Sequence, residues 1–270
     1  MEEEWFGEEY RPTDSFWVGM FESWNNSRTL ARLARTQPPG RRLLEIGVGS
    51  GSFLKAALAT GYEVMGCDLS EPICRRVEQR YGITVHCGPL AGLKADERFD
   101  VIVLNHVVEH VQQPIAFLQE VLRRLSPGGI AHIAVPNVAC WQAKLSGWNS
   151  FEPYHLVYFA PQTLERAVAA SGLAVDCLAT HDSFSGWFLA VLRTLLGVNR
   201  TNSAISRTAA ANSHRSIGHR SLWVEHAYRL AMMCAGGGLW PVRWVQAKLN
   251  CGDEIICIAR RSEKSAQRQG

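Results

Sequence analysis

The sequence lacks the features that would indicate a nucleic-acid-binding, membrane-spanning or disulfide-rich protein. Its net charge of +3 over 270 residues is too small to indicate binding of nucleic acid. No stretch reaches the ~18 consecutive apolar residues of a membrane span, and the acidic start MEEEWFGEEY does not resemble a signal peptide. The eight cysteines form no C-x-x-C pair. We therefore expect a cytoplasmic protein with buried free thiols and no nucleic-acid partner.

Short apolar runs instead alternate with amphipathic helical patterns along the middle of the chain. Runs such as RRLLEIGV, YEVMGCDL and FDVIVLNHV are almost continuously apolar, which is typical of parallel strands that helices cover on both faces. Right-handed crossovers between such strands give a doubly wound sheet. The predicted fold class is therefore α/β, with a mostly parallel, seven-stranded, Rossmann-like sheet, N-terminal helices and a helical insertion before the last strand.

This alternation also predicts how the chain is divided. We expect an N-terminal helical cap at 1–40, an α/β core at 41–182, a helical insertion at 183–252, a final core strand at 253–261 and a tail at 262–270. Within the insertion, residues 198–218 are polar and lack periodicity, which predicts a mobile loop.

Three glycines stand at alternate positions where the first predicted strand ends, in LLEIGVGSGSF. Gly47, Gly49 and Gly51 allow the backbone to turn tightly and to approach a ligand that a Cβ atom would repel. The NAD fingerprint G-x-G-x-x-G would place its last glycine at position 52, which is Ser52. A phosphate loop would need Gly-Lys-Ser/Thr, which is also absent. The turn therefore favours a ligand other than a dinucleotide or nucleoside triphosphate.

Two acidic residues accompany this turn. Glu45 precedes it and can engage the cationic amine of a ligand. Asp68 ends the second predicted strand, where a carboxylate can accept hydrogen bonds from both hydroxyls of an adenosine ribose. A sulfonium ligand has no phosphate to neutralise, so it tolerates both carboxylates. The pair is therefore compatible with a sulfonium nucleoside.

With these residues the sequence resembles the class I S-adenosylmethionine-dependent methyltransferases, in the branch of ubiquinone-biosynthesis-type and natural-product small-molecule enzymes. The resemblance runs from about Arg41 to Asp176 and also rests on FDVIVLNHVVEHVQQP, LSPGG and PYHLVYFAPQTL. It implies S-adenosyl-L-methionine as the cofactor. The residues predicted for cofactor binding are Glu45, Gly47, Gly49, Gly51, Asp68, Asn105 and His106. After the third strand the sequence HCGPLAGL departs from the family pattern, which often has an acidic residue or Asn facing the adenine, so Leu69 and Leu90 are instead candidate walls for the adenine.

The segment HVVEH, residues 106–110, also matches the H-x-x-E-H spacing of an inverted zinc-peptidase motif. A zinc site of that kind needs the motif inside a helix and a third ligand downstream. Here the motif directly follows a predicted strand, and Pro114 confines any helix to about one turn. We therefore predict no metal site. The resemblance instead places His106 beside the cofactor and gives Glu109 and His110 local hydrogen bonds.

The aromatic-rich loop after the fifth predicted strand, NVACWQAKLSGWNSFEPYHLVYFAP, is the predicted wall for the acceptor. His155 is the leading candidate for a general base, since histidine titrates near neutrality, and Tyr154 is a weaker one. His155 could instead fix the loop. The predicted reaction is methylation of a small-molecule acceptor, on a hydroxyl, in secondary metabolism or glycan modification. N-methylation and a non-catalytic cofactor-binding subunit are the alternatives.

A second patch, GGGLWPVRWVQAKL, mixes tryptophan with basic residues near the end of the insertion. It is compatible with peripheral contact to a membrane or a lipid-like substrate through residues 185–250. Packing against the domain or homodimer formation would use the same residues.

Overall fold

The computed structural model describes residues 16–148, 155–181, 186–195, 197 and 240–261. The predicted base Tyr154 lies outside the described residues. So do the predicted mobile loop at 198–218 and the predicted tail at 262–270.

The described residues form seven α-helices and seven strands. The helices are α1 (Phe16–Arg35), α2 (Ser52–Ala59), α3 (Glu71–Tyr81), α4 (Pro114–Arg124), α5 (Pro161–Ala170), α6 (Gly186–Leu195) and α7 (Trp240–Lys248). The strands are β1 (Arg42–Ile46), β2 (Glu63–Asp68), β3 (Val85–Cys87), β4 (Phe99–Asn105), β5 (Leu125–Pro136), β6 (Leu173–His181) and β7 (Glu254–Arg261). Among these helices none is long and apolar enough to cross a membrane.

The seven strands form one sheet in the order β3-β2-β1-β4-β5-β7-β6. The pairs β1–β2, β1–β4, β2–β3 and β4–β5 are parallel. The last strand runs the other way: His181 at the end of β6 pairs with Glu254 at the start of β7, whereas Asp176 pairs with Arg260 near its end. The predicted mostly parallel, seven-stranded α/β sheet is thus confirmed.

The chain divides into two compact units, which are described separately here. The first comprises residues 1–135, 164–178 and 257–270, and the second comprises residues 136–163 and 179–256. The domain boundaries that the sequence predicts stay a prediction.

In the first unit, β1 and β4 lie at the centre of the sheet, and their apolar side chains are fully buried from Leu43 to Leu44 and from Val101 to Leu104. Burial of this kind explains why these strands are apolar on both faces. The chain leaves β1 toward β2 on one side, whereas β4 leads on to β5 on the other. The carboxyl ends of β1 and β4 therefore mark the point where the strand order reverses, which is where open α/β sheets bind their ligands.

The helices that connect these strands begin and end according to local sequence rules. Helix α3 starts after Ser70, carries a proline in its first turn and ends at Gly82, whose φ of 66° is left-handed. Helix α4 likewise begins at a proline, Pro114. Each helix thus leads from the carboxyl end of one strand to the start of the next parallel strand at the opposite edge of the sheet.

Candidate functional site

The glycine turn follows β1 directly. Its three glycines have positive φ values of 75° at Gly47, 50° at Gly49 and 73° at Gly51. A Cβ atom at Gly47 would lie 2.7 Å from Cγ2 of Val107, and one at Gly51 would lie 2.9 Å from Cγ2 of Val77. Both the backbone conformation and the close packing therefore require glycine at these two positions. The result is a tight turn at the carboxyl end of β1 in which every second residue lacks a side chain.

Asp68, the last residue of β2, stabilises this turn by hydrogen bonds. Its Oδ2 accepts a hydrogen bond from the amide of Val48 at 3.0 Å, and its Oδ1 accepts one from the amide of Ser70 at 2.9 Å. Burial raises the pKa of Asp68, and these and neighbouring amide hydrogen bonds oppose that rise. A carboxylate has about four acceptor positions, so Asp68 can hold the turn and still accept hydrogen bonds from a ligand.

Glu45 lies in β1, just before the turn, and its side chain is only 4% exposed. Its Oε2 has no hydrogen-bond partner among the residues that the structure describes. Burial first, and then the negative charge of Asp68, raise the pKa of Glu45 well above its usual range, while the amide of Leu54 acts in the opposite direction. Among the described residues of the first unit, no cation is paired with this buried acid.

Helix α1 supplies two contacts to the turn that the sequence reasoning missed. Glu22 accepts a hydrogen bond from the hydroxyl of Ser50 at 3.3 Å, and the amide group of Asn26 donates one to the hydroxyl of Ser52 at 3.2 Å. Glu22 and Asn26 are four residues apart and so lie on one face of the helix. That spacing of polar residues was the available signal, but without the fold nothing connected it to the turn.

The end of β4 carries the two other residues predicted to line the cofactor. Asn105 is its last residue, and His106 follows with a left-handed φ of 55°. The backbone amide of His106 donates to the carbonyl of Ala134 at 2.9 Å. Its ring Nδ1 lies 3.2 Å from Oε1 of Glu109, which is 1% exposed. This local hydrogen bond is the one predicted for Glu109.

The segment Val108–His110 forms a single 3₁₀ turn shortly after the end of β4. The motif HVVEH is therefore not placed inside an α-helix, as its reading as a zinc-peptidase motif would require. The prediction of no metal site stays a prediction.

The two leucines predicted to contact the adenine differ in exposure. Leu69 follows Asp68 and is 65% exposed, whereas Leu90 begins a 3₁₀ turn after β3 and is 5% exposed. Leu69 therefore offers an apolar surface next to the end of β2. For both residues, contact with the adenine stays a prediction.

The second unit contains the predicted acceptor loop. Asn137 anchors its start: the amide N–H of Asn137 donates to Asp253 at 2.8 Å, its side-chain nitrogen donates to the carbonyl of Gly252 at 2.6 Å, and its side-chain oxygen accepts from the amide of Ala139 at 3.0 Å. The amide of Val138 then donates to the carbonyl of Phe159 at 2.9 Å, which ties the start of the loop to its end.

His155, the predicted base, is partly exposed in this loop, and its ring centroid lies 6.4 Å from that of Tyr158 in an edge-to-face arrangement. Leu156 and Tyr158 are exposed. Trp148, by contrast, is buried and packs with Cys140 and Ala190 in a small apolar cluster of the second unit. Of the aromatic residues predicted to form the acceptor wall, Trp148 thus contributes to the packing of its own unit.

Helix α7 also belongs to the second unit. Val242, Trp244 and Leu249, at and just beyond this helix, are large apolar residues that are exposed. The ammonium of Lys248 lies 5.8 Å from the centroid of the Trp244 ring. The predicted membrane, lipid-substrate or homodimer contact through residues 185–250 stays a prediction.

Taken together, the sheet order and the glycine turn with its two acids define an open α/β sheet of the ligand-binding type, with the turn at its carboxyl edge. A family model described as "Methyltransferase domain" matches residues 18–178, which is more than half of the 270-residue chain. The chain therefore belongs to the methyltransferase-domain family. This confirms the resemblance to class I S-adenosylmethionine-dependent methyltransferases that the sequence motifs indicated.

Curated relatives match a shorter region. A ubiquinone biosynthesis O-methyltransferase from Ruegeria pomeroyi is 36% identical over 97 residues, which cover 34% of this chain and 39% of the relative. A protein of the same name from Parvibaculum lavamentivorans is 36% identical over 102 residues, covering 36% of this chain and 40% of the relative. The chain thus spans about two-fifths of the length of the curated relatives it matches.

Two solved structures share the fold at low identity. A SAM-dependent methyltransferase from Archaeoglobus fulgidus has a TM-score of 0.54 and 18% identity, covering 88% of this chain and 93% of that one. The (4+2)-cyclase SpnF has a TM-score of 0.53 and 16% identity, covering 87% of this chain and 80% of that one. At these identities the likeness shows the fold alone, and the two proteins are named for different activities.

S-adenosyl-L-methionine is the cofactor of this enzyme class, and the residues at the carboxyl ends of β1, β2 and β4 fit it. The buried Glu45 has an oxygen with no partner in the described part of the chain, which suits a cationic ligand. Asp68 retains acceptor capacity for ribose hydroxyls. The glycine turn lies between these two acids and holds its shape through left-handed glycines.

Proposed function

We propose that the protein transfers the methyl group of S-adenosyl-L-methionine to a hydroxyl of a small-molecule acceptor in biosynthesis. The observation that carries this proposal is the acidic glycine turn, in which the buried Glu45 and the partly buried Asp68 suit a cationic nucleoside. The names of the curated relatives, which are O-methyltransferases, support a hydroxyl over an amine as the acceptor.

The residues of the first unit would bind and orient the cofactor. Asp68 would accept hydrogen bonds from the ribose hydroxyls, and Glu45 would face the positive charge of the methionine half. Asn105 and His106 would line that same half from the end of β4. When bound, S-adenosyl-L-methionine supplies the methyl group on a good leaving group, so the protein's main tasks are alignment and proton removal.

Proton removal is the proposed task of the second unit. A hydroxyl becomes a good nucleophile when a base takes its proton, and histidine is suited to this near neutral pH. His155 is the proposed base, with Tyr154 as the weaker candidate. The anchoring of the loop through Asn137 would hold this histidine in a defined position.

Two measurements test the proposal in order. The first is calorimetric titration of the full chain with S-adenosylhomocysteine in the presence of EDTA, for which we expect micromolar binding. The second is transfer of the labelled methyl group from S-adenosylmethionine to a panel of phenols, sugars and amines of similar size.

Binding with transfer to hydroxyl acceptors would support the proposal. Transfer to amines alone would replace it with N-methylation, and tight binding without transfer to any acceptor would favour a non-catalytic subunit. Failure to bind the nucleoside would reject the cofactor site itself.

A further inference from the structure

We propose that Glu45 holds a proton in the cofactor-free protein and releases it when a positively charged ligand binds, so that cofactor binding is coupled to proton release. This inference rests on the proposed function, because it concerns the same cofactor site. It adds a specificity determinant: the site would select ligands by their positive charge.

The position of Glu45 in the sheet is the first argument. Its backbone pairs with Gly66 of β2 on one side and with Val103 of β4 on the other, and neither neighbour offers a polar side chain. With the side chain 4% exposed and Oε2 unpartnered among the described residues, water cannot solvate the ionised form effectively. Burial of an unpaired carboxylate is strongly unfavourable. The neutral acid avoids this cost.

The charged and titratable groups on the surrounding elements are the second argument. β2 contributes the carboxylate of Asp68, and α1 contributes Glu22 through its contact with Ser50. From α3, the thiol of Cys74 contacts the carbonyl of Asp68 at 3.6 Å, and burial raises the pKa of this thiol to about 12, so it is neutral. Of these groups, Asp68 adds negative charge beside Glu45, and none of the three supplies a positive charge.

The basic side chains on the remaining neighbouring elements have partners other than Glu45. In α2, the ammonium of Lys55 lies 5.6 Å from the centroid of the Tyr81 ring. After β4, the ring of His106 is hydrogen-bonded to Glu109. The amide of Leu54 in α2 does favour the ionised form of Glu45, but burial and Asp68 oppose it and prevail.

A bound cation changes this balance, because its charge replaces the missing counterion and favours the carboxylate. The O–H bond of Glu45 then breaks, and the proton passes to the buffer. Burial raises the pKa of Glu45 in the free protein, and the cation lowers it in the complex. Affinity should therefore rise with pH between the two pKa values, by up to about tenfold per pH unit, and become constant above the higher one.

The test is calorimetric titration of the full chain with S-adenosylmethionine in phosphate and in Tris, which differ strongly in ionisation enthalpy. Release of a proton makes the observed enthalpy differ between the two buffers at the same pH. We expect such a difference in the wild type, together with affinity that rises with pH. Glu45→Gln should remove the difference, whereas Glu63→Gln, at the opposite end of β2, should keep it.

Three outcomes would overturn the inference. Equal enthalpies in both buffers with normal binding would reject proton release while leaving the cofactor site intact. Loss of the difference in Asp68→Asn, with its retention in Glu45→Gln, would assign the proton to Asp68 instead. Failure of the wild type to bind at any pH would reject the proposed function together with this inference. If Glu45→Gln does not fold, the buffer comparison on the wild type and on Asp68→Asn still decides.

Discussion

The proposed cofactor edge of the first unit, at the carboxyl ends of β1, β2 and β4, and the proposed acceptor loop of the second unit are built by different means. At the cofactor edge, backbone amides and a carboxylate fix the turn, and Gly47 and Gly51 leave no space for any other residue. The acceptor loop is fixed at its base by Asn137, whereas Leu156 and Tyr158 extend into solvent.

This difference shows which half of the chemistry a sequence can reveal. Substitution of a residue at the cofactor edge breaks backbone geometry, so the pattern there is restricted to few residue types. Substitution of an exposed loop residue changes which molecule can be contacted and leaves the fold intact. Fold and cofactor are therefore readable from the chain, while the acceptor is not, because one fold hosts many reactions.

Among the variants that test this difference between the two regions, His155→Gln should have the largest effect, which is on turnover. Loss of a general base lowers turnover by about a hundredfold or more, and the affinity for S-adenosylhomocysteine should stay unchanged. Initial rates with a hydroxyl acceptor, alongside calorimetry, measure both quantities.

Tyr158→Phe is the matched control, since it keeps the edge-to-face ring contact with His155 and removes only a hydroxyl. We expect it to retain most of the activity. Equal losses in the two variants would show that His155 holds the loop in place and is not the base.

The next effect concerns the cofactor edge. Asp68→Ala should weaken binding of S-adenosylhomocysteine by about thirtyfold, or ~2 kcal/mol, because charged hydrogen bonds of this strength are lost. Calorimetric titration gives the dissociation constant.

Glu63→Gln provides the control on the same strand, because Glu63 is an exposed acid at the opposite end of β2. Its affinity should match that of the wild type. If Asp68→Ala bound equally well, the proposed contact with the ribose would be wrong.

The smallest effect is the difference in stability that we expect between substitutions of two left-handed glycines. Gly51→Ala should lower the free energy of unfolding by about 2 kcal/mol, from both backbone strain and the approach of the new Cβ to Val77. Gly82→Ala should cost about 1 kcal/mol, because its φ is similar but no atom lies within 4 Å of the added Cβ.

Urea denaturation followed by circular dichroism measures both values. Equal losses would mean that the side chain of Val77 moves aside without cost, and that the turn is less tightly packed than its geometry indicates.

The sequence predicted the strands, the glycine turn and the position of Asp68, because each depends on a local pattern with one physical meaning. It did not predict that Glu22 and Asn26 reach the turn, since a helix pattern does not reveal what the helix packs against. Nor did it predict the burial of Trp148, because aromatic residues occur in cores and in binding loops alike. What it missed therefore depends on tertiary packing.

The place of β7 in the sheet has a consequence for folding. This strand follows all the others in the chain, yet it lies between β5 and β6. Until β7 has been synthesised, β5 lacks a partner on one side and β6 has no partner in this sheet. Open strand edges of this kind promote association between chains, so the nascent sheet stays exposed to such association until β7 is in place.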